Sequence, residues 1–159
     1  SVEYLDKISS LRKLIPEVGL TTDIIVGFPQ ETSQDYLETK RLVEAIQFDS
    51  IFLFKFSPRR GTKAASLPDQ VPDEIKDERF QEILDIQKSI TLQKNKALEG
   101  IIQEVMVEGE SKKKSDMQTG HTRAGKIVNF AGSRSMLGNL VSIQISKGGL
   151  YSLTGISFF

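Results

Sequence analysis

Two short stretches carry residue types that could do chemistry. The first is TTDIIVGFPQE, Thr21 to Glu31, where an apolar run stops at Gly27-Phe28-Pro29 and turns polar. Gly27 can take a positive φ and lets a ligand approach the backbone, Pro29 fixes its own φ, and the helix start that follows offers free N–H groups. The second is SPRRGT, Ser57 to Thr62, a loop that follows another apolar and aromatic run. Asp23 is an acid inside an apolar run, a placement that costs free energy unless it is paired. It either anchors a local network, with Arg59 or Arg60 as partner, or contacts a ligand. The plainer alternative is that both stretches are only tight strand-to-helix connections.

His121 is the one histidine, and there is no cysteine. Disulfides, zinc-thiolate sites, thiol nucleophiles and cysteine-ligated iron–sulfur clusters are therefore excluded for this chain. A serine-protease-like triad would depend on His121 alone, with no partner or pocket evident in the sequence. That residue reads as a surface or contact side chain rather than a general base. No apolar segment approaches the length of a membrane span, and the N-terminus has no basic start followed by an apolar core. A cytoplasmic location and no membrane partner are the expectation.

At 159 residues the chain holds one ordinary domain or two small ones. Tyr4, Ile8, Leu11 and Ile15 recur at steps of three and four and predict an amphipathic helix, ended by Pro16 and Gly19. It opens without a recognisable cap, as expected when a longer chain precedes it. Ile24, Ile25 and Val26 form a continuous apolar run, which predicts a parallel strand covered on both faces. A helix capped by Thr32 or Ser33 follows, with Leu37, Leu42, Val43 and Ile46 inward, and then the strand FDSIFLFKF.

Helix and strand thus alternate as in a parallel α/β structure, in which sites sit at the carboxyl ends of strands. A long helix is predicted from about Pro72 to Leu98, with Ile75, Phe80, Ile83, Leu84, Ile86, Ile90 and Leu98 as its apolar stripe and Gly100 as its stop. Beyond it, short β-prone pieces separated by Gly, Ser and Lys clusters predict an all-β module. We place the boundary between residues 1–95 and 96–159. Charge divides in the same way: residues 1 to 91 carry 12 Lys+Arg against 16 Asp+Glu, and residues 92 to 159 carry 9 against 5. A basic second module is a hint of a polyanionic partner.

TTDIIVGFPQET and FDSIFLFKFSPRRGTKAASLPDQVP resemble the C-terminal part of the radical S-adenosylmethionine domain of tRNA methylthiotransferases, especially the MiaB type. VEGESKK, TGHTRAGKIVNF and the closing SLTG resemble the TRAM domain that ends those enzymes. The resemblance covers nearly the whole chain. It implies an α/β part followed by an all-β part: the last βα units of a partial parallel α/β barrel, a long linking helix, and a small antiparallel, OB-like β-barrel.

The implied parent enzyme adds a methylthio group to C2 of N6-isopentenyladenosine next to the anticodon, using S-adenosylmethionine and two [4Fe–4S] clusters. Carried over residue by residue, Asp23, Gly27, Phe28, Pro29, Glu31, Ser57, Pro58, Arg59 and Gly61 would lie on the cofactor-facing rim. The cluster-binding CxxxCxxC lies upstream in that family, so this chain is read as a C-terminal fragment, inactive alone, with no cofactor of its own. Where the family shows GFPGET and SPRPGT, this chain has Gln30 and Arg60. The basic SPRRGT loop favours tRNA over the sister family's ribosomal protein.

In the basic module, Lys112, Lys113, Lys114, His121, Arg123, Lys126, Asn129 and Phe130 are the candidate RNA contacts. Basic side chains hold phosphates, while amides and aromatics engage unpaired bases. Phe130 reads equally as core, and Arg134 lies nearby in sequence. The expected partner is the tRNA anticodon stem-loop, and an incomplete barrel would also self-associate through residues 20 to 56. The alternatives are a stand-alone RNA-binding module with a non-catalytic α/β scaffold, or a different α/β enzyme with an appended β-domain.

Overall fold

The computed structural model describes residues 2–111 and 117–158. The chain divides into two compact units, residues 1–10 with 20–90, and residues 11–19 with 91–159. Helix α1, Val2–Leu14, and helix α3, Asp73–Lys96, each contribute residues to both.

In the first unit, β1 (Thr21–Val26) and β2 (Ser50–Lys55) pair in parallel, joined through α2 (Ser33–Ile46). Parallel strands need such a crossover because a tight turn cannot reverse the chain twice. Thr32 caps α2 in a capping box: its hydroxyl accepts from the Asp35 N–H, and the Asp35 carboxylate accepts from the Thr32 N–H. The Asp35 pKa is lowered, first by the Thr32 hydroxyl and then by the Thr32 backbone. Val26, Tyr36, Val43, Ile83 and Ile90 form the core, with Ile24, Ile51, Leu53, Phe80 and Ile86 packed against it.

Three sequence expectations fail here. The sheet is covered on one face only: Ile25, Phe52 and Phe54 are 54%, 59% and 51% exposed, because the helices pack on the side of Ile24 and Val26. Leu37 is exposed and Tyr36 takes its inward place, since the apolar ring turns in while the hydroxyl still finds a partner. Ile75 is also exposed. The inward stripe of α3 runs through Lys76, Arg79, Ile83, Gln87 and Ile90 at steps of three and four, so it is largely polar.

The second unit is a closed five-stranded barrel in the order β3-β4-β5-β7-β6, with β3 Ile102–Glu110, β4 Met117–Thr122, β5 Ile127–Ala131, β6 Leu140–Gly148 and β7 Leu153–Ser157. Closure leaves no free edge. β5 and β7 pair in parallel while the other neighbours are antiparallel, the arrangement of an OB-like barrel with one parallel seam. Val105, Val107, Val128, Phe130, Ile143, Ile145 and Leu153 fill it. Strict alternation puts these side chains inward and Glu104, Met106 and Glu108 outward.

Glycines permit the closest strand contacts. A Cβ at Gly120 would sit 2.1 Å from the Met106 carbonyl oxygen, and one at Gly155 2.2 Å from Ile143 Cγ2. Gly120→Ala is expected to lower stability by about 2 kcal/mol or more, because backbone has to move. A melt with an unchanged midpoint would show that the barrel relaxes freely at this seam.

Candidate cofactor rim and nucleic-acid interface

β1 and β2 end side by side, with Val26 paired to Lys55 and the Phe56 N–H donating to the Val26 carbonyl at 2.8 Å. The turn at Gly27 and the loop from Ser57 therefore leave from the same edge of the sheet. Phe28 and Phe56 meet edge to face, their centroids 5.1 Å apart. The Gln30 N–H donates to the Asp69 carbonyl at 3.0 Å, which ties the turn to the far end of the second loop.

The turn is held from beneath by α3. The Gly27 N–H donates to Glu31 Oε2 at 2.8 Å, and the same carboxylate is paired with Arg79, both side chains being about nine-tenths buried. Arg79 stacks over the Tyr36 ring at 5.2 Å, and the Tyr36 hydroxyl donates to Glu82, which also pairs with Lys40. Burial, followed by the bond to Glu82, pushes the Tyr36 pKa well above its ordinary value. The Glu82 pKa is lowered, chiefly by Lys40 and then by Tyr36. Gly27 has φ 73, and a Cβ there would lie 2.3 Å from Lys76 Cγ. One reason for a glycine thus lies in the turn's own backbone and the other in the packing of α3 against it.

Of the rim residues read from the sequence, Gly27 and Pro29 are buried, and Glu31 is turned into α3 rather than outward. Phe28, Ser57, Pro58, Arg59 and Gly61 are exposed. Asp23 is exposed on the open face of the sheet, paired in register with Phe52. It bears no desolvation cost, so the energetic reason for expecting a partner falls away. Gln30 has φ 71, a left-handed conformation that costs a side-chain-bearing residue roughly 1 kcal/mol. A glycine would take that conformation without the cost.

Lys76, Arg79 and Tyr36 were missed as supports of this turn. The signal was present as charged residues falling in phase with the apolar period of α3. Reading the stripe as apolar only hid it.

On the barrel, Lys112, Lys113 and Lys114 lie outside the described residues. Phe130 is fully buried in the core, so of its two readings the core one holds and the base-stacking one does not. Lys126 donates to Asn95 Oδ1 at 2.9 Å, and Asn95 in turn donates to the Gly149 carbonyl at 2.7 Å, so this ammonium ties the end of α3 to the barrel. Asn129 is half-buried between Thr119 and Thr154 in register. Arg123 is exposed, with its Nε 2.8 Å from Glu104 Oε2. His121 Nδ1 lies 2.8 Å from Glu108 Oε2, close in distance but outside hydrogen-bond alignment, and the pair is ionic only when the imidazole is protonated.

Residues 96–157 match the TRAM domain. Over 153 residues the chain is 49% identical to a tRNA-2-methylthio-N(6)-dimethylallyladenosine synthase of Clostridium botulinum, a match covering 96% of this chain and 34% of that protein. Synthases of the same name from Clostridium novyi and Geobacillus kaustophilus are 46% and 45% identical over 153 residues, with 34% and 29% of their lengths covered. Along nearly its whole length the chain is thus similar to part of the MiaB-type tRNA methylthiotransferases, and its residues 96–157 to the TRAM domain. It spans about a third of the length of the curated relatives it matches.

Iron–sulfur clusters of the kind this family implies need cysteine thiolates, and the chain has none, so no cluster is held by its residues. Among the described residues, no group of three or more His, Asp or Glu is placed to hold a metal, and no helix is long and apolar enough to cross a membrane.

Arg79→Ala leaves the Glu31 carboxylate buried and unpaired, and is expected to destabilise the first unit by about 3 kcal/mol. Glu82→Gln is expected to cost about 1 kcal/mol or less at neutral pH, since its ion pair is partly exposed and screened. Because the folded-state pKa of Glu82 is lowered, its stabilisation is present above the ordinary carboxylate pKa and is lost as pH falls through the folded value. Urea titrations of both proteins should therefore converge in acid. A gap that persists there would assign the effect to packing.

Proposed function

We propose that this chain is the C-terminal part of a tRNA-modifying enzyme of the methylthiotransferase type, and that its barrel grips RNA. What carries the reading is similarity along nearly the whole chain to synthases whose names specify methylthiolation of a dimethylallyladenosine in tRNA. On this reading the parent works in the cytoplasm on the anticodon stem-loop and holds its two [4Fe–4S] clusters on residues other than these. The chain alone is inactive in methylthio transfer.

The rim at the ends of β1 and β2 would contribute one wall of the S-adenosylmethionine site. The exposed groups suit that ligand: the Phe28 ring offers an apolar face for adenine, Arg59 a charge for a carboxylate, and Asp23, further back along β1 on the open face of the sheet, an acceptor for hydroxyl or ammonium groups. Gly27, Pro29 and Glu31 would act indirectly, by shaping the turn that carries Phe28. When bound, S-adenosylmethionine supplies the radical chemistry, and the wall's part is to orient it and exclude water. One observation favours a second reading, a non-catalytic scaffold beside an RNA-binding module. The Gly27 N–H and the Glu31 carboxylate are both engaged within the turn.

RNA binding is tested with a tRNA anticodon stem-loop across a salt series, beside a variant with Lys112, Lys113, Lys114 and Arg123 changed to Ala. Binding should fall steeply with salt, and the variant should bind at least tenfold more weakly with a shallower slope. If neither protein binds, the barrel loses its assigned role.

The open face of the sheet is also the proposed route of self-association for this chain. Phe52→Ser with Phe54→Ser should shift sedimentation toward monomer without lowering the melting midpoint, because both rings are half exposed. Unchanged association would move the contact elsewhere.

A further inference from the structure

β3 places three exposed carboxylates, Glu104, Glu108 and Glu110, along the outer surface of the barrel. Each lies against a basic side chain from elsewhere in the second unit. Arg123, just after β4, has its Nε 2.8 Å from Glu104, and His121 on β4 has Nδ1 2.8 Å from Glu108. Arg134, at the start of the short turn before β6, has its Nε 3.9 Å from Glu110. Two of these basic groups, His121 and Arg123, belong to the set from which RNA binding is argued. In this fold they already face anions.

The face between the pairs is not basic either. Ile127, His121, Met106 and Leu140 are register partners in one row across β5, β4, β3 and β6, and the three apolar members are 41%, 40% and 54% exposed in that order. A phosphate backbone approaching this row meets Glu104 on one side of Met106 and Glu108 on the other. The basic side chains that reach β3 are therefore offset locally, and the surplus of the second module resides elsewhere on it.

We propose that Glu104, Glu108 and Glu110 are built-in competitors of RNA phosphate: they face Arg123, His121 and Arg134 and lower the affinity of the barrel for polyanions in general. This rests on the RNA-binding reading and specifies how selectivity is set within it. Exposed ion pairs are weak because water and salt screen them, so an incoming phosphate can take over an arginine at small cost. The released carboxylate stays beside that phosphate and repels it. An RNA that makes further contacts tolerates the repulsion, whereas one held by charge alone does not, and discrimination of this kind needs a repulsive element.

The test is a triple variant, Glu104→Gln, Glu108→Gln and Glu110→Gln, titrated with a tRNA anticodon stem-loop and with a polyuridine oligonucleotide across a salt series. An equal charge change on the first unit, Asp6→Asn with Glu74→Gln and Glu78→Gln, controls for net charge. Removing the competitors should tighten binding of both RNAs by roughly threefold to tenfold relative to the control, with the larger gain for polyuridine, and should steepen the salt slope by about one unit.

Affinity equal to the control overturns the proposal, and so does weaker binding, which would mean that the carboxylates themselves accept hydrogen bonds from base amino groups. If wild type and variant both fail to bind, the RNA reading falls and this proposal with it. Should the triple variant unfold, Glu104→Gln alone, shown to be folded by its melt and titrated with the same two RNAs, carries the test: tighter binding is expected, and unchanged or weaker binding overturns the proposal.

Discussion

A single buried carboxylate organises the edge where the proposed chemistry would lie. Glu31 accepts from the Gly27 N–H and pairs with Arg79, and through Arg79 it meets Tyr36, Glu82 and Lys40. A buried ion pair is no guarantee of net stability, since desolvation offsets much of the attraction. It does specify geometry, because either charge left alone would be costly. The result is a strand-to-helix turn whose backbone is clamped from below while Phe28 projects outward. The glycine, the acid and the two helices are parts of one device.

The barrel solves a different problem. Its core is mainly apolar, with Gln118 and Thr122 of β4 also buried, so its outer surface carries whatever discrimination the module has. The basic residues of the sequence are engaged unevenly: the half-buried Lys126 with Asn95, and Arg123 and Arg134 against glutamates on β3. Net charge along a segment is therefore a poor guide to the potential at its surface. Strand register, which brings β3 beside β4 and β6, decides which charges cancel.

The α/β-then-β order, the long helix and the family were legible in the sequence, because periodicity, turn residues and an ordered series of motifs are local signals. The cap at Thr32, the stop after β1 and the short strands of the barrel were legible for the same reason. Burial of polar groups was not. Lys76 and Arg79 look like solvent-facing charges until α3 is laid under the turn, and Phe130 looks like a stacking ring until the barrel closes around it. Asp23 looked costly only because the strand was taken as covered on both faces.

By itself, then, the sequence determined which segments become helices and strands, where they stop, and which family the chain resembles. Tertiary structure alone decided which side chains are available. Availability depends on pairs far apart in the chain: Glu31 with Arg79, Arg123 with Glu104, and Gly27 with Lys76. Such pairings are set by how the elements pack and by strand register, and neither leaves a mark on the spacing of residues within one element.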